Sequence, residues 1–259
     1  MSVLAVIVTY YTGDVLWTCL EEAVRQCDRV VVVSNGNPAE VERRLAGDGR
    51  WEHLSGHGNI GFASAVNRGA EGMGEDYILV LNPDAVMREG CVARLVEVAE
   101  RLPVPTVVGA RLVDETGTEL RGSRRWALTP WTLFRGLNLH RRPLPSGPLE
   151  VGAVSGAAML LSRESWEVLG GFDTHYFLHV EDLDICRRAA NLGGGAVFVP
   201  DAEVVHPGST SDVPPWVVET HKYMGLRHYF TRHNPVWGRL VLVPIWLAFR
   251  RRMRPSEKR

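Results

Sequence analysis

An α/β fold, with a single mainly parallel twisted sheet flanked by helices, is what this 259-residue sequence predicts. Two patterns carry that expectation. Short, almost purely apolar runs of strand length alternate with amphipathic stretches of helix length, and the apolar runs exit into polar, turn-prone residues. A strand buried on both faces reads as a continuous apolar run. Strand–helix alternation implies parallel strands covered by crossover helices, and such sheets bind ligands beyond the carboxyl ends of their strands.

The elements follow in order. Val3 to Thr9 is the first apolar strand, and Gly13 to Gln26 a helix with Asp14 as its expected cap and Leu16, Leu20, Ala23 and Val24 at helical spacing. Arg29 to Ser34 carries four successive valines and reads as the second strand. A short helix over Ala39 to Ala46, a short strand over Trp51 to Leu54, a helix over Gly61 to Glu71 and a strand over Tyr77 to Leu81 come next. A helix over Glu89 to Arg101 and a strand over Thr106 to Leu112 complete a first half spanning 1–115.

From Arg121 to Pro148 the periodicity fades under Pro130, Pro143, Pro145 and Pro148, and arginines accumulate; a long loop with one helical turn is expected, either a lid or a surface excursion. A strand over Val154 to Ser162, helices over Arg163 to Leu169 and Glu181 to Asn191, and a strand over Ala196 to Val199 make a second half, 116–215. The segment 216–259 is helical near His221 to Thr231, then apolar over Leu240 to Phe249 with Pro244 inside, then basic through Arg250, Arg251, Arg252, Arg254, Lys258 and Arg259.

Bulk properties narrow the function classes. With 45% hydrophobic residues the chain can bury one sizeable core, and a net charge of −1 argues against a polyanion binder, so no nucleic-acid partner is expected. Cys19, Cys27, Cys91 and Cys186 show no C-x-x-C pair, which argues against a zinc or redox-dithiol site and points to a reducing, cytoplasmic setting. The N-terminal apolar run lacks a basic segment and a small-residue cleavage site, so it reads as a strand rather than a signal peptide. No stretch of roughly 20 apolar residues is present, so no spanning helix is expected. The apolar and basic C-terminal segment suits peripheral contact with the inner face of a membrane, or packing on the domain or on a second copy in a homodimer.

Four constellations carry the chemistry. Asn82-Pro83-Asp84 follows an apolar strand; it is a common turn, and also a place where a carboxylate can hold a divalent cation against a diphosphate. Gly58-Asn59-Ile60-Gly61-Phe62 leads into a helix N-terminus that suits phosphate, yet matches neither the dinucleotide nor the Walker fingerprint. Gly170-Gly171-Phe172-Asp173 precedes Glu181-Asp182-Leu183-Asp184, acids that can be helix-dipole partners or a proton acceptor with a raised pKa. His206, before Pro207, is either structural or a metal ligand. Small residues Ser155, Gly156 and Ala157 leave room for an acceptor or pack closely in the sheet. Arg124 and Arg125, among Trp126, Trp131 and Phe134, suit acceptor or donor phosphate.

Taken in order, Gly58-Asn59-x-Gly61-Phe62-Ala63-x-Ala65-x-Asn67-x-Gly69, Leu81-Asn82-Pro83-Asp84, Gly171-Phe172-Asp173 and Glu181-Asp182-x-Asp184-x-x-x-Arg187 resemble glycosyltransferase family 2, inverting enzymes of the GT-A fold. The resemblance runs from Val3 to about Ser211 and is nearest to rhamnosyltransferase-type members. It implies transfer of a sugar, L-rhamnose from dTDP-rhamnose being the first expectation and another dTDP- or UDP-sugar the wider one, to a glycan, lipid-linked or natural-product hydroxyl. It implies Mg²⁺ or Mn²⁺ held by Asp84 and His206, and Asp182 as base with Glu181 beside it on the acceptor side. It places Thr9, Tyr10, Asn35, Asn59, Gly61, Phe62, Asn67, Asn82 and Asp84 around the donor. Ser34 replaces the acid usual in the second nucleotide loop. Asn82 stands where a first metal-motif acid can stand, so Asp84 is expected to hold metal together with the donor diphosphate. A nucleotidyltransferase is the first alternative, but the loop Thr9-Tyr10-Tyr11-Thr12-Gly13-Asp14 lacks the Gly-rich, basic character of that class; a non-catalytic sugar-nucleotide binder is the second.

Overall fold

The computed structural model describes residues 1–207, 214–234, 238–250 and 252–253. In chain order the first half contains β1 (Val3–Thr9), α1 (Val15–Gln26), β2 (Arg29–Ser34), α2 (Ala39–Gly47), β3 (Glu52–Leu54), α3 (Phe62–Gly69), β4 (Tyr77–Leu81), β5 (Val86–Met87), α4 (Cys91–Ala99) and β6 (Thr106–Val113). The second half adds β7 (Arg124–Arg125), α5 (Pro130–Arg135), β8 (Leu149–Val151), β9 (Ala153–Val154), β10 (Ala158–Ser162), α6 (Arg163–Leu169), α7 (Glu181–Asn191), β11 (Gly195–Val205), α8 (Pro215–His233) and α9 (Gly238–Phe249).

Nine strands form one sheet in the order β3-β2-β1-β4-β10-β6-β11-β5, with β8 also on β11. The ladders β3–β2, β2–β1, β1–β4 and β6–β11 are parallel. β10 runs antiparallel to both β4 and β6, and β5 and β8 run antiparallel to β11. The reversed β10 matters for the site: its first residue, Ala158, pairs with Leu81, the last of β4. Residues just before β10 therefore sit beside the carboxyl end of β4.

Side chains alternate across β1, so Leu4, Val6 and Val8 enter one core and Val3, Ala5 and Ile7 the other. The first core also takes in Ala63 and Val66 of α3, Trp166 of α6, Ile185 of α7, and Leu226, Tyr229 and Phe230 of α8. The second takes in Leu16 and Leu20 of α1 and Leu95 of α4. Helix α8 thus closes the same core as the sheet, although the sequence places a boundary at 215/216.

Local differences from the sequence reading have physical causes. Asp14 makes no side-chain cap, because its own backbone is already helical (φ −62°, ψ −22°) and a capping side chain reaches the first turn from an extended residue. The expected strand over Val154 to Ser162 breaks at Ser155–Ala157. The late strand is longer than expected and shifts register between Val199 and Glu203, around Pro200, whose missing N–H cannot enter a ladder.

α9 buries Val241 and Ile245 and leaves Leu240, Val243, Trp246 and Leu247 exposed. The basic residues Arg251, Arg254, Lys258 and Arg259 and the side chain of Phe134 lie outside the described residues, as do Gly208 to Ser211 at the end of the family-like stretch. Among the described residues, no helix is long and apolar enough to cross a membrane.

Candidate active site

A cavity of about 520 Å³ opens at the carboxyl ends of β1, β2 and β4. Tyr10, Asn35, Asn59, Gly61, Phe62, Asn82, Asp84 and His206, all picked out in the sequence, line it. Each arrives there because a strand ends. The turn after β4 is tied on three sides: the Asn82 amide donates to the Ala157 carbonyl (2.9 Å), the Ala85 amide to the Asn82 carbonyl (3.1 Å), and the Cys19 thiol to that same carbonyl (3.4 Å). His206 follows β11 directly, and its amide donates to the Val113 carbonyl at 2.9 Å.

At the cavity wall, Nε2 of His206 lies 3.1 Å from Oδ1 of the buried Asp84 and 3.2 Å from Nδ2 of Asn82. One ring nitrogen cannot donate to the carboxylate and accept from the amide at once. The donor set nevertheless fits a divalent cation. Ligand atoms about 2.1 Å from an octahedral ion, at right angles, stand about 3.0 Å apart, close to the Asp84–His206 separation. A neutral imidazole and a carboxylate are both accepted ligands for Mn²⁺-like ions.

The loop before α3 meets β2 through Asn35. Nδ2 of Asn35 donates to the Gly61 carbonyl at 3.1 Å, while its buried Oδ1 has no partner among the described residues. Gly61 adopts φ +83°, and a Cβ there would stand 2.7 Å from the Phe177 carbonyl. That close approach lets the Phe62 amide donate to the same carbonyl at 2.7 Å and clamps the loop before α3 to the loop before α7. Asn59 accepts from the Gly61 amide at 3.0 Å, closing the turn.

Asp182, at the start of α7, does not line this cavity but is wired to it. Its Oδ2 accepts from Nη2 of Arg125 (2.6 Å) and from the Gly156 amide (3.2 Å), and its Oδ1 from the Leu183 amide (2.8 Å). One residue further on, Ala157 receives the Asn82 amide, so the bend Ser155–Ala157 joins Asp182 to the Asp84 turn. Burial pushes the Asp182 carboxyl upward, but the Arg125 guanidinium overrides it and holds the group below its ordinary value. Glu181, buried with Oε2 unpartnered, is raised by burial and then by the charge of Asp182. Just upstream, His179 (φ +68°) and Val180 (φ +77°) occupy the left-handed region, a strained conformation that recurs beside functional groups.

Three of the expected site residues stand elsewhere. Thr9 is fully buried, and its hydroxyl is spent on the Thr12 hydroxyl (3.1 Å); Thr12 takes its place on the cavity wall. Asn67 points away from the cavity: its amide nitrogen donates to the Phe172 carbonyl (2.8 Å) and its oxygen accepts from the Phe172 amide (2.9 Å). It is a clasp between α3 and the Gly-Phe-Asp turn. Arg124 is buried, with both terminal nitrogens and Nε committed to Glu119 and to the carbonyls of Arg142 and Pro143. That pins the long loop and leaves Arg124 nothing for a phosphate. Ser34 is likewise occupied by Glu42 and Asn37.

Sequence reasoning missed Phe177, His179, Val217, Val218, His221 and Lys222, all on the cavity wall. The four from α8 repeat at a spacing of four, a one-face signal that lies outside the motif-bearing region. A second cluster, Asp173 with His175 (2.8 Å) and His228 (3.0 Å), has the spacing of a metal site. The Arg232 guanidinium sits on the same carboxylate and supplies the compensating charge already; none of these residues lines the cavity.

Solved structures share this architecture. A crystal structure of GalNAc-T7 with UDP, GalNAc and Mn²⁺ superposes with TM-score 0.62 at 18% identity, over 96% of this chain and 54% of that one. The mannosyltransferase PcManGT from Pyrobaculum calidifontis, in complex with GDP-Man and Mn²⁺, gives 0.62 at 17% identity, over 97% and 71%. Both likenesses establish the GT-A fold. The profile of glycosyl transferase family 2 matches residues 4–170, and the chain belongs to that family. Among curated proteins it is 29% identical over 209 residues to N-acetylglucosaminyl-diphospho-decaprenol L-rhamnosyltransferase of Mycobacterium tuberculosis, covering 69% of this chain and 66% of that protein, just under two thirds of its length. It is 24% identical over 157 residues to the rhamnosyltransferase WbbL of Escherichia coli, over 58% and 60% of the two chains.

Proposed function

We propose that this protein is an inverting glycosyltransferase that moves a sugar, L-rhamnose from dTDP-rhamnose in the first instance, from a nucleoside-diphosphate donor to an acceptor hydroxyl. The observation that carries the reading is the Asp84–His206 pair at 3.1 Å on the wall of a cavity that Tyr10, Asn35, Asn59 and Gly61 also line. A carboxylate and an imidazole suit a cation–diphosphate, and the amide of Asn35 with the ring of Tyr10 suits a nucleoside base. The similarity to rhamnosyltransferases supports the sugar, and residues 1–115 serve as the donor half and 116–215 as the acceptor half.

Asp84 and His206 would hold Mg²⁺ or Mn²⁺, which supplies Lewis-acid neutralisation of the departing diphosphate. Asp182, ionised through Arg125, accepts the acceptor's proton as its oxygen bonds to the anomeric carbon and the bond to the diphosphate breaks. One displacement inverts that carbon. Gly156, without a side chain, leaves the approach to Asp182 open; a Cβ there would meet Asp182 Cβ at 3.4 Å. Ser155 and Ala157 flank that approach, and Glu181 lies behind it. Trp126 and Trp131, exposed on the long loop under Arg142 and Arg135, offer flat faces to a saccharide acceptor.

The test is a thermal-shift series with dTDP-rhamnose, UDP-sugars and GDP-mannose, each with and without Mn²⁺. A donor at about 100 times its Kd stabilises the fold by about 2.7 kcal/mol, a shift of several degrees for a chain of this size. A metal-dependent rise with dTDP-rhamnose is expected. A rise confined to another donor replaces the sugar assignment, and no rise with any of them overturns the donor reading.

A further inference from the structure

We propose that Lys222 of α8 is a binding residue for the donor diphosphate, delivered to the cavity by a helix outside the family-matched region. This rests on the donor reading above.

The placement comes first. Val217, Val218, His221 and Lys222 line the cavity, and the pairs 217/221 and 218/222 are each four residues apart, so one face of α8 forms that wall. What presses the helix there is Gly225: a Cβ on it would stand 3.0 Å from both the His179 carbonyl and Val180 Cγ2. Lower down, His228 and Arg232 hold Asp173, and His233 holds Asp184 at 2.7 Å. The helix is therefore clamped on either side of the strained turn that leads to Asp182. The ring of His221 stacks on Phe177 at 4.5 Å, which sets the rim on which Lys222 sits.

The charge comes second. Among the described residues lining the cavity, Lys222 is the only lysine or arginine. Its influence reaches the wall: burial, and then the Lys222 charge, push His179 down to about 4. A nucleoside diphosphate brings about two negative charges as a donor and about three once the sugar leaves, while a dication offsets two and Asp84 adds one. Even with Asn82 neutral, the cavity gathers surplus negative charge as the bond breaks, and an ammonium on a flexible stem is suited to meet it. Lys222 rests on Glu219 at 3.1 Å, with 39% of its side chain exposed. Glu219 does not line the cavity, so a diphosphate has to win Lys222 from this helix-surface pair.

Calorimetric titration of dTDP and UDP with Mn²⁺, into the wild type, Lys222→Gln, Lys222→Arg and Glu219→Gln, tests this, with thymidine and uridine as diphosphate-free probes. Diphosphate affinity should fall about tenfold or more in Lys222→Gln, recover most of that in Lys222→Arg, and stay equal or rise in Glu219→Gln, while nucleoside affinity holds throughout. Wild-type binding with a Lys222→Gln affinity within twofold overturns the Lys222 role alone. Equal weakening in Glu219→Gln assigns the effect to the helix-surface pair and overturns it too. No binding of either diphosphate to the wild type overturns the donor reading together with this inference.

Discussion

Asp84, buried on the cavity wall, and Asp182, part-buried and off that wall, are joined through the bend Ser155–Ala157, yet they are held in opposite ways. Asp84 faces an imidazole whose nitrogen also lies within reach of Asn82, the donor set proposed above for a cation. Asp182 faces a guanidinium that has already supplied the positive charge. A carboxylate paired with Arg is held in its ionised form; one beside an imidazole shares its place with a second metal-type ligand. The chemistry of each acid is thus decided by its neighbour rather than by its identity.

Three measurements break or sharpen that comparison. The largest effect is expected for Asp182→Asn, which removes a proton acceptor worth about 10²–10⁴ in rate; nucleoside diphosphate release should fall by that order while dTDP affinity with Mn²⁺ stays within twofold. Retention of the wild-type rate would remove Asp182 from the base role. The mirror image is Asp84→Asn, which should weaken Mn²⁺-dependent nucleotide binding by about tenfold or more, as chelation does for the wild type, and leave metal-free nucleoside binding alone. Full turnover in chelator would break the metal half of the comparison. Smallest is Arg125→Met. Losing the cation raises the Asp182 pKa, since its folded value is held down mainly by that partner against burial. The acidic limb of kcat/KM should therefore move to higher pH, with more rate lost at low pH than at high pH. An unmoved limb would show that another group sets the charge of Asp182.

The cavity-lining residues picked from the sequence were legible because they sit at strand exits, and strand exits are local features. Tyr10, Asn35, Asn82 and Asp84 each end an apolar run visible in the sequence, and Asn59, Gly61 and Phe62 open the helix that follows another. Legibility failed where a side chain chose between two neighbours distant in sequence. Asn67 stands in the same motif as the cavity-lining Asn59, Gly61 and Phe62 but bonds Phe172, 105 positions away. Arg124 and Arg125 are adjacent and chemically identical; alternation along β7 sends one to Glu119 inside the loop and the other to Asp182. The α8 wall was missed because its spacing is that of any core helix.

The sequence by itself therefore determined the α/β class, the family and the strand-end residues, because periodicity and turn chemistry act within a few residues. Only the tertiary structure decided which acid meets a histidine and which an arginine, and that α8 brings Lys222 to the cavity. Those outcomes depend on the antiparallel insertion of β10 beside β4 and on the close contact at Gly225, packing events between segments the chain order keeps far apart.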